Sequence, residues 1–162
     1  MRKQKGFSLI ELLIVVAIIL IIAAIAIPNL LRARMAANEA SAVQSIKTIN
    51  TAEITYNSAY PTVGYAPTLA VLGGASPCTP NSTTSCLIEN GLASGTKAGY
   101  NFTAIGAGGP PAVMYYTTAV PVTLNQTGTR SFCSFEDAVI RVNPSGGGIP
   151  SEAACQALLP LQ

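Results

Sequence analysis

Residues 5–28 of the chain read KGFSLIELLIVVAIILIIAAIAIP, and this stretch decides the fold. It contains sixteen consecutive apolar residues, from Leu12 to Ile27. Counted from Phe7, the stretch has 21 residues and would span about 31 Å as a helix, close to the roughly 30 Å hydrocarbon core of a bilayer. The sequence therefore predicts one membrane-spanning helix, with the basic residues that precede Gly6 on the cytoplasmic side.

A secretory signal peptide is the alternative interpretation of this stretch. The apolar region of a signal peptide is about 7–15 residues long and ends at a small-residue cleavage site. The run in this chain is longer. Its candidate site, Ala24-Ile25-Ala26, would place Ile27-Pro28 just after the cut, where proline is unfavourable. These two facts favour a helix that is retained.

Composition excludes several classes of function. The chain has 162 residues, enough for one core, and only 10% of them are charged, against about 25% in an average domain. It contains no His, which excludes His-based triads, His metal sites and His proton relays. The net charge of +2 is too small to predict a nucleic-acid partner. Three of the nine basic residues precede Gly6, so the remainder of the chain is slightly acidic.

Two residues of the N-terminal stretch have no role in a simple membrane anchor. Gly6 separates the basic residues from the apolar run. Glu11 lies inside the 21-residue stretch that begins at Phe7, where an ionised carboxylate costs about 2.5–3.5 kcal/mol on insertion scales. The helix offers no cation within one or two turns of Glu11, so we expect its partner on another chain.

The segment Lys5-Gly6-Phe7-Ser8-Leu9-Ile10-Glu11-Leu12, with the apolar run and Pro28 behind it, resembles the N-terminus of type IV pilins and of the pseudopilins of type II secretion. The resemblance is strong over roughly residues 3–57, and Ser8 replaces the more frequent Thr. It implies that a prepilin peptidase cleaves between Gly6 and Phe7 and methylates the new N-terminus at Phe7.

The resemblance also suggests a role for the acidic residue. Cleavage creates an α-ammonium group at Phe7, with which Glu11 of an adjoining subunit can pair. An ion pair in the low-dielectric core of a filament is strong enough to specify register. Glu11 and Pro28 are therefore the candidate assembly residues of this segment.

The helix is predicted to continue beyond the membrane. Leu30 to Tyr56 contains no Gly or Pro, and an apolar stripe recurs at helical spacing, formed by Ala42, Ile46, Ile49, Ala52 and Tyr56. The charged residues, including Glu39 and Glu53, are expected on the other faces. Pro28 predicts a kink, the alternative being that the helix ends there.

The C-terminal part is predicted to be a small β-rich head. After Tyr60-Pro61, residues 61–99 are expected to form a long loop with one helical turn at Thr68–Leu72. The predicted strands are Tyr100–Ala104, Ala112–Val120, Ser131–Phe135 and Ala138–Val142, with a hairpin turn at Glu136-Asp137 and a short helix over Ser151–Leu159. Three or four antiparallel strands need a cover on one face, which the apolar stripe provides.

The predicted fold class is accordingly α+β: a long kinked N-terminal helix, transmembrane in its N-terminal half, packed against an antiparallel sheet. The predicted organisation is a leader peptide at 1–6, a transmembrane and filament-core helix at 7–31, the amphipathic half of the same helix at 32–57, and a head at 58–162. This agrees with the fold that the resemblance implies.

All four cysteines follow the membrane segment, which predicts disulfides in an oxidising compartment. The most local pairing is Cys78 with Cys86 and Cys133 with Cys155, and the two other connectivities remain open. A Cys₄ metal site is disfavoured because the chain has no CxxC pair. A calcium site at Glu136-Asp137 is a second alternative, although carboxylates are few there. We expect no metal and no cofactor.

The sequence contains no catalytic constellation, so a membrane-anchored enzyme is disfavoured. The resemblance implies a structural subunit of a type IV pilus-like filament, with other pilin subunits, a prepilin peptidase and an inner-membrane assembly platform as partners. Such a subunit would lie in the bacterial inner membrane before assembly and in an extracellular pilus afterwards. The alternative is a type II secretion pseudopilin in a short periplasmic filament.

Overall fold

The structure, a computed structural model, describes residues 8–161. It contains four helices and six strands among these residues: α1 Leu9–Ala59, α2 Leu69–Leu72, α3 Asn90–Ala93, β1 Thr96–Lys97, β2 Tyr100–Ala107, β3 Met114–Pro121, β4 Ser131–Phe135, β5 Arg141–Asn143, α4 Glu152–Gln156 and β6 Leu159–Pro160. The strands form one antiparallel sheet in the order β1-β2-β3-β4-β5-β6. The predicted α+β fold class is confirmed.

Contacts within the chain define two compact units, one ending at Arg34 and the other beginning at Met35. Helix α1 contributes residues to both. Pro28 lies inside α1, and the helix continues to Ala59, so the alternative that it ends at Pro28 is wrong. Proline has no N–H group, so the ladder loses one hydrogen bond there. At the other end, Pro61 disfavours helical geometry at Tyr60, and α1 stops one residue earlier.

In the second unit, α1 covers one face of the sheet. The predicted apolar stripe is buried, with Ile46, Ile49 and Tyr56 each 0% exposed. It shares a core with side chains of the sheet, chiefly Tyr100, Phe102, Ala119 and Phe132. The alternating burial along β2 fits a strand with a single covered face.

The opposite face of the sheet has a cover of its own. All five residues of β4 are buried, so both of its faces are covered. Cys133 and Phe135 belong to a second core that they form with Ile149 and Cys155 from the C-terminal segment. The cover that α1 provides was predicted, and this second cover was not.

The predicted strands require two corrections. The sheet has six strands instead of three or four, because β1 and β6 have two residues each and carry no periodic signal. The strand predicted at Ala138–Val142 is present but displaced, since β5 covers Arg141–Asn143. Ala138 has a φ of +58°, and its N–H donates to the carbonyl of Phe135 over 2.8 Å, which makes a turn at this place.

The segment predicted as one long loop is more ordered than expected. Helix α2 lies within the predicted turn, but α3 and β1 were not predicted. The predicted C-terminal helix is shorter than expected, as α4 ends at Gln156. Ser151 is its N-cap, and its Oγ accepts the N–H of Ala154 at 3.2 Å, as the sequence predicts.

Both disulfides join the sequence-local pairs. Cys78 is bonded to Cys86, and Cys133 to Cys155. The first closes a small loop next to Gly74, and the second joins β4 to α4. Cys133 and Cys155 are each 0% exposed, so the second disulfide is buried in the second core, on the face of the sheet opposite α1.

Replacing Cys133 and Cys155 by Ser should destabilise the head by about 3 kcal/mol, because the disulfide closes the longer loop and its sulfurs are buried. We expect a lower unfolding midpoint for the detergent-solubilised full chain, followed by circular dichroism. The matched control replaces the partly exposed Cys78 and Cys86, which close a shorter loop, and should cost less. A larger loss in the control would contradict this ranking.

Candidate functional site: an exposed apolar helix segment

The first half of α1 is an apolar surface that the described residues leave uncovered. Its most hydrophobic 18-residue window has a mean hydropathy of 3.3, and none of this window is buried. Sixteen large side chains between Leu9 and Leu31 are at least 43% exposed: Leu9, Ile10, Leu12, Leu13, Ile14, Val15, Val16, Ile18, Ile19, Leu20, Ile21, Ile22, Ile25, Ile27, Leu30 and Leu31. Soluble monomers rarely expose an apolar patch this large.

By length and composition, this half of the helix can cross a membrane. Burial in hydrocarbon or against other protein chains would remove its apolar surface from water, at a gain of about 25 cal/mol per Å². The exposed apolar side chains of this segment therefore favour contact with lipid or with other protein chains. We call Leu9–Leu31 the apolar segment.

Glu11 lies in the first turn of the apolar segment, where it caps the helix. Ser8 immediately precedes α1, and its backbone N–H donates to Oε2 of Glu11 at 3.4 Å. This contact is one half of a capping box, in which the acidic residue at the third helical position reaches back to the residue before the helix. A negative charge at the N-terminal end of a helix also interacts favourably with the positive end of the helix dipole. The pattern Ser-x-x-Glu before an apolar run is the sequence signal for it.

The carboxylate of Glu11 forms no ion pair with any residue of the described range 8–161. The nearest basic residues that follow it are Arg32 and Arg34, beyond the apolar segment. At a rise of 1.5 Å per residue, Arg32 is about 31 Å away along the helix. The charge of Glu11 is thus left for a cation from outside this part of the chain.

The remaining predicted assembly positions are not brought together. Pro28 lies 17 residues after Glu11 on the same helix, about 26 Å along its axis. Gly6 and Phe7, the predicted cleavage and methylation positions, lie outside the described residues, so their roles stay predictions.

Sequence reasoning placed Glu39 on an exposed face, but the residue is buried and 6% exposed. Its Oε1 accepts N–H and hydroxyl donors from Thr129 and the N–H of Arg130, and its Oε2 pairs with the Arg130 guanidinium at 2.7 Å. Burial alone would raise the pKa of Glu39, but the hydrogen bonds from Thr129 and Arg130 together lower it below its ordinary value. This network fastens the loop before β4 to α1.

Glu53 was also expected on an exposed face and is 0% exposed. Its Oε2 accepts the backbone N–H of Ala66 at 2.8 Å, whereas Oε1 has no hydrogen-bond partner. Burial raises the pKa of Glu53 to about 7, against the opposing effect of the Ala66 hydrogen bond. Spacing could have located both residues, because Glu39 and Glu53 continue the three-to-four spacing of the apolar stripe.

Of the two candidate calcium ligands, Asp137 is already bonded to other groups. Both carboxylate oxygens of Asp137 bond to Arg141, and Oδ1 also accepts the N–H of Val139. Between residues 8 and 161, no group of three or more His, Cys, Asp or Glu side chains is arranged to hold a metal ion.

Comparisons with known proteins agree with the features of the apolar segment. A family described as the prokaryotic N-terminal methylation motif matches residues 1–27. A type IV wide pilus major component, PilA4, of Thermus thermophilus is 69% identical over 39 residues, which are 24% of this chain and 30% of that protein.

Two further relatives match longer stretches. Type II secretion system core protein G of Vibrio cholerae is 43% identical over 65 residues, 38% of this chain and 44% of that protein. The type IV major pilin protein PilA of Myxococcus xanthus is 45% identical over 56 residues, 35% of this chain and 26% of that protein. This chain thus spans less than half the length of each of these relatives. No solved structure matches.

Gly6 and Phe7 fall inside the matched methylation motif, and the apolar run behind them forms the exposed first half of α1. The head is a sheet packed against the second half of the same helix. The N-terminal segment of the chain is thus similar to those of two type IV pilus proteins and of a type II secretion system core protein, and it carries the prokaryotic N-terminal methylation motif.

Proposed function

We propose that the chain is a structural subunit of a type IV pilus-like filament that polymerises through its N-terminal helix after a leader is removed. The observation that carries this proposal is the uncovered apolar segment with a single carboxylate near its start. Packing the segments of many copies together would bury the apolar side chains. It would also bring Glu11 to the N-terminal ammonium group of a neighbour.

The proposed organisation follows from this assembly. Residues 1–6 are the leader, 7–31 the membrane and filament-core helix, 32–57 its amphipathic half, and 58–162 the head. A prepilin peptidase removes the leader and methylates Phe7, and an inner-membrane platform extracts the subunit. The chain lies in the bacterial inner membrane with its head outside the cytoplasm until it enters an extracellular pilus.

A second candidate is a pseudopilin of a type II secretion system, in a short periplasmic filament. The observation in its favour is the 43% identity with core protein G over 65 residues. Two of the three relatives are named as pilus or pilin components, which supports the pilus as the first proposal. The three relatives are named as pilus, pilin or secretion-system components, and none is named as an enzyme.

Imaging of the filaments separates the two candidates. Filaments sheared from cells should bind gold-labelled antibody against the head along their whole length, and they should disappear when the gene is deleted. Label that stays in the periplasm of cells with intact filaments would exclude the pilus and support the pseudopilin.

Gly6→Leu should block removal of the leader, because a bulky side chain at the residue before the cut would not fit a site that accepts glycine. We expect an unprocessed chain that is heavier by six residues and lacks N-methylation, measured by mass spectrometry of membrane extracts, and no filaments. Ser8→Thr, which introduces the residue more frequent in the family, is the matched control and should be processed normally. Complete processing of Gly6→Leu would contradict cleavage at this position.

A further inference from the structure

Two arginines directly follow the apolar segment. Arg32 and Arg34 are both exposed, and neither forms a hydrogen bond or an ion pair with another residue of the described range 8–161. The acidic residues nearest to them on α1 are Glu11 and Glu39. Glu11 lies at the far end of the apolar segment, and Glu39 is buried and bonded to Arg130. The two guanidinium groups therefore have no carboxylate partner on their own helix.

The arginines lie at a defined depth. The 23 residues from Leu9 to Leu31 rise about 34 Å as a helix, slightly more than the hydrocarbon core of a bilayer. With Leu9 at one boundary of this core, Arg32 and Arg34 are at the opposite boundary, where the phosphate groups of the lipids begin. Arginine side chains at such a position extend their guanidinium groups towards the phosphates.

Arg34 also shares a surface with apolar side chains. Ile27, Leu30 and Leu31 precede it by seven, four and three residues, so the four side chains lie on one face of α1. They line a shallow hollow of about 190 Å³. Its lining is apolar except for the guanidinium of Arg34. This combination matches a phospholipid, which has acyl chains below a negatively charged phosphodiester.

We propose that Arg32 and Arg34, on different faces of α1, bind the phosphodiester groups of membrane phospholipids on the non-cytoplasmic side and hold the unassembled subunit at a fixed depth. A guanidinium group is suited to this because it presents several N–H donors in one plane and is weakly hydrated. The proposal rests on the proposed function in one respect, namely that the apolar segment spans the membrane before assembly.

Lipid retention by the full chain tests this proposal. The chain is extracted in mild detergent from vesicles of phosphatidylglycerol and phosphatidylcholine, and the bound lipid is counted by native mass spectrometry. The double variant Arg32→Gln, Arg34→Gln should retain about tenfold less phospholipid than the unmodified chain, since each basic side chain near a membrane surface contributes to anionic lipid binding. Lys47→Gln, which removes an exposed cation from the head half of α1, should change nothing.

Further conditions separate the lipid phosphate from other partners. Diacylglycerol, which lacks the phosphate, should not be retained by either chain. Equal retention of phospholipid by the double variant and the unmodified chain would overturn the proposal.

Carbonate extraction of the same membranes shows whether the chain is inserted. If the double variant is inserted and keeps its phospholipid, the proposed lipid contact is wrong, but the proposed function is not affected. If the chain is never inserted, the apolar segment does not span the membrane, and the proposed function is contradicted as well.

Discussion

Glu11→Val should leave a subunit that inserts and loses its leader normally but forms no filaments. The variant removes the one carboxylate of the apolar segment and makes the segment more apolar, so insertion becomes more favourable. In the proposed filament it leaves the N-terminal ammonium of a neighbour without its counter-ion. Breaking a buried ion pair in this way costs on the order of 3–5 kcal/mol, which corresponds to more than a hundredfold weaker association at each contact.

The hydrogen bond between Ser8 and Glu11 makes a second variant necessary. Valine also removes the cap at the start of α1, and the loss of a cap lowers helix stability by about 1 kcal/mol. Glu11→Gln keeps an oxygen that can accept the N–H of Ser8 but carries no charge. If the charge is what assembly needs, both variants should be processed and neither should appear in the filaments sheared from cells.

Immunoblots of the sheared and cell fractions measure both effects, and mass spectrometry reports removal of the leader. Filaments formed at the normal level by Glu11→Gln would show that the cap, and not the ion pair, is the contribution of this residue. Filaments formed by Glu11→Val would contradict both roles.

The long elements could be predicted from the sequence because their signals are local. α1 carries a helical apolar pattern over many turns, and β2 and β4 begin where alternation or β-branched and aromatic residues predict them. β6 could not be predicted, since a two-residue strand exists only because a neighbour lies beside it. The turn predicted at Glu136-Asp137 is present, but β5 was displaced because Ala138 just after it has a positive φ that its side chain does not indicate.

The apolar segment and Glu11 could be predicted because a charge directly before sixteen consecutive apolar residues stands out without any structure. The helical spacing of Glu39 and Glu53 places both on the buried stripe of α1, but the groups that bond to their carboxylates could not be predicted. Glu39 is buried because Thr129 and Arg130, about ninety residues later, supply its donors. Only the folded chain brings those groups together.

Glu53 has a measurable consequence for stability. A carboxyl group with a pKa near 7 in the folded head and 4.5 in the unfolded chain binds more protons in the folded state between these values. Its contribution is therefore fully present below pH 4.5 and is lost as the pH rises through 7. A shift of this size corresponds to a loss of about 3 kcal/mol between pH 4.5 and pH 8.

The groups that face Glu53 do not titrate in this range. Tyr56 and Tyr115 are the titratable side chains whose charges couple to it, and burial raises the pKa of each above 10. The pKa of Glu39 and of Asp137 is lowered, so their contributions to the stability of the head are lost only at acidic pH, below 4.5. The decline between pH 4.5 and 8 should thus belong to Glu53.

Glu53→Gln should remove this decline. Glutamine keeps an oxygen for the N–H of Ala66 and has a neutral amide in place of the oxygen that lacks a partner. The unfolding midpoint of the detergent-solubilised full chain, followed by circular dichroism from pH 4.5 to 8, should fall for the unmodified chain and stay nearly constant for Glu53→Gln. Glu136→Gln changes the same charge at an exposed position and should keep the decline. A decline of equal size in Glu53→Gln would mean that another group is protonated in the folded head, and would refute the assignment of this titration to the buried face of α1.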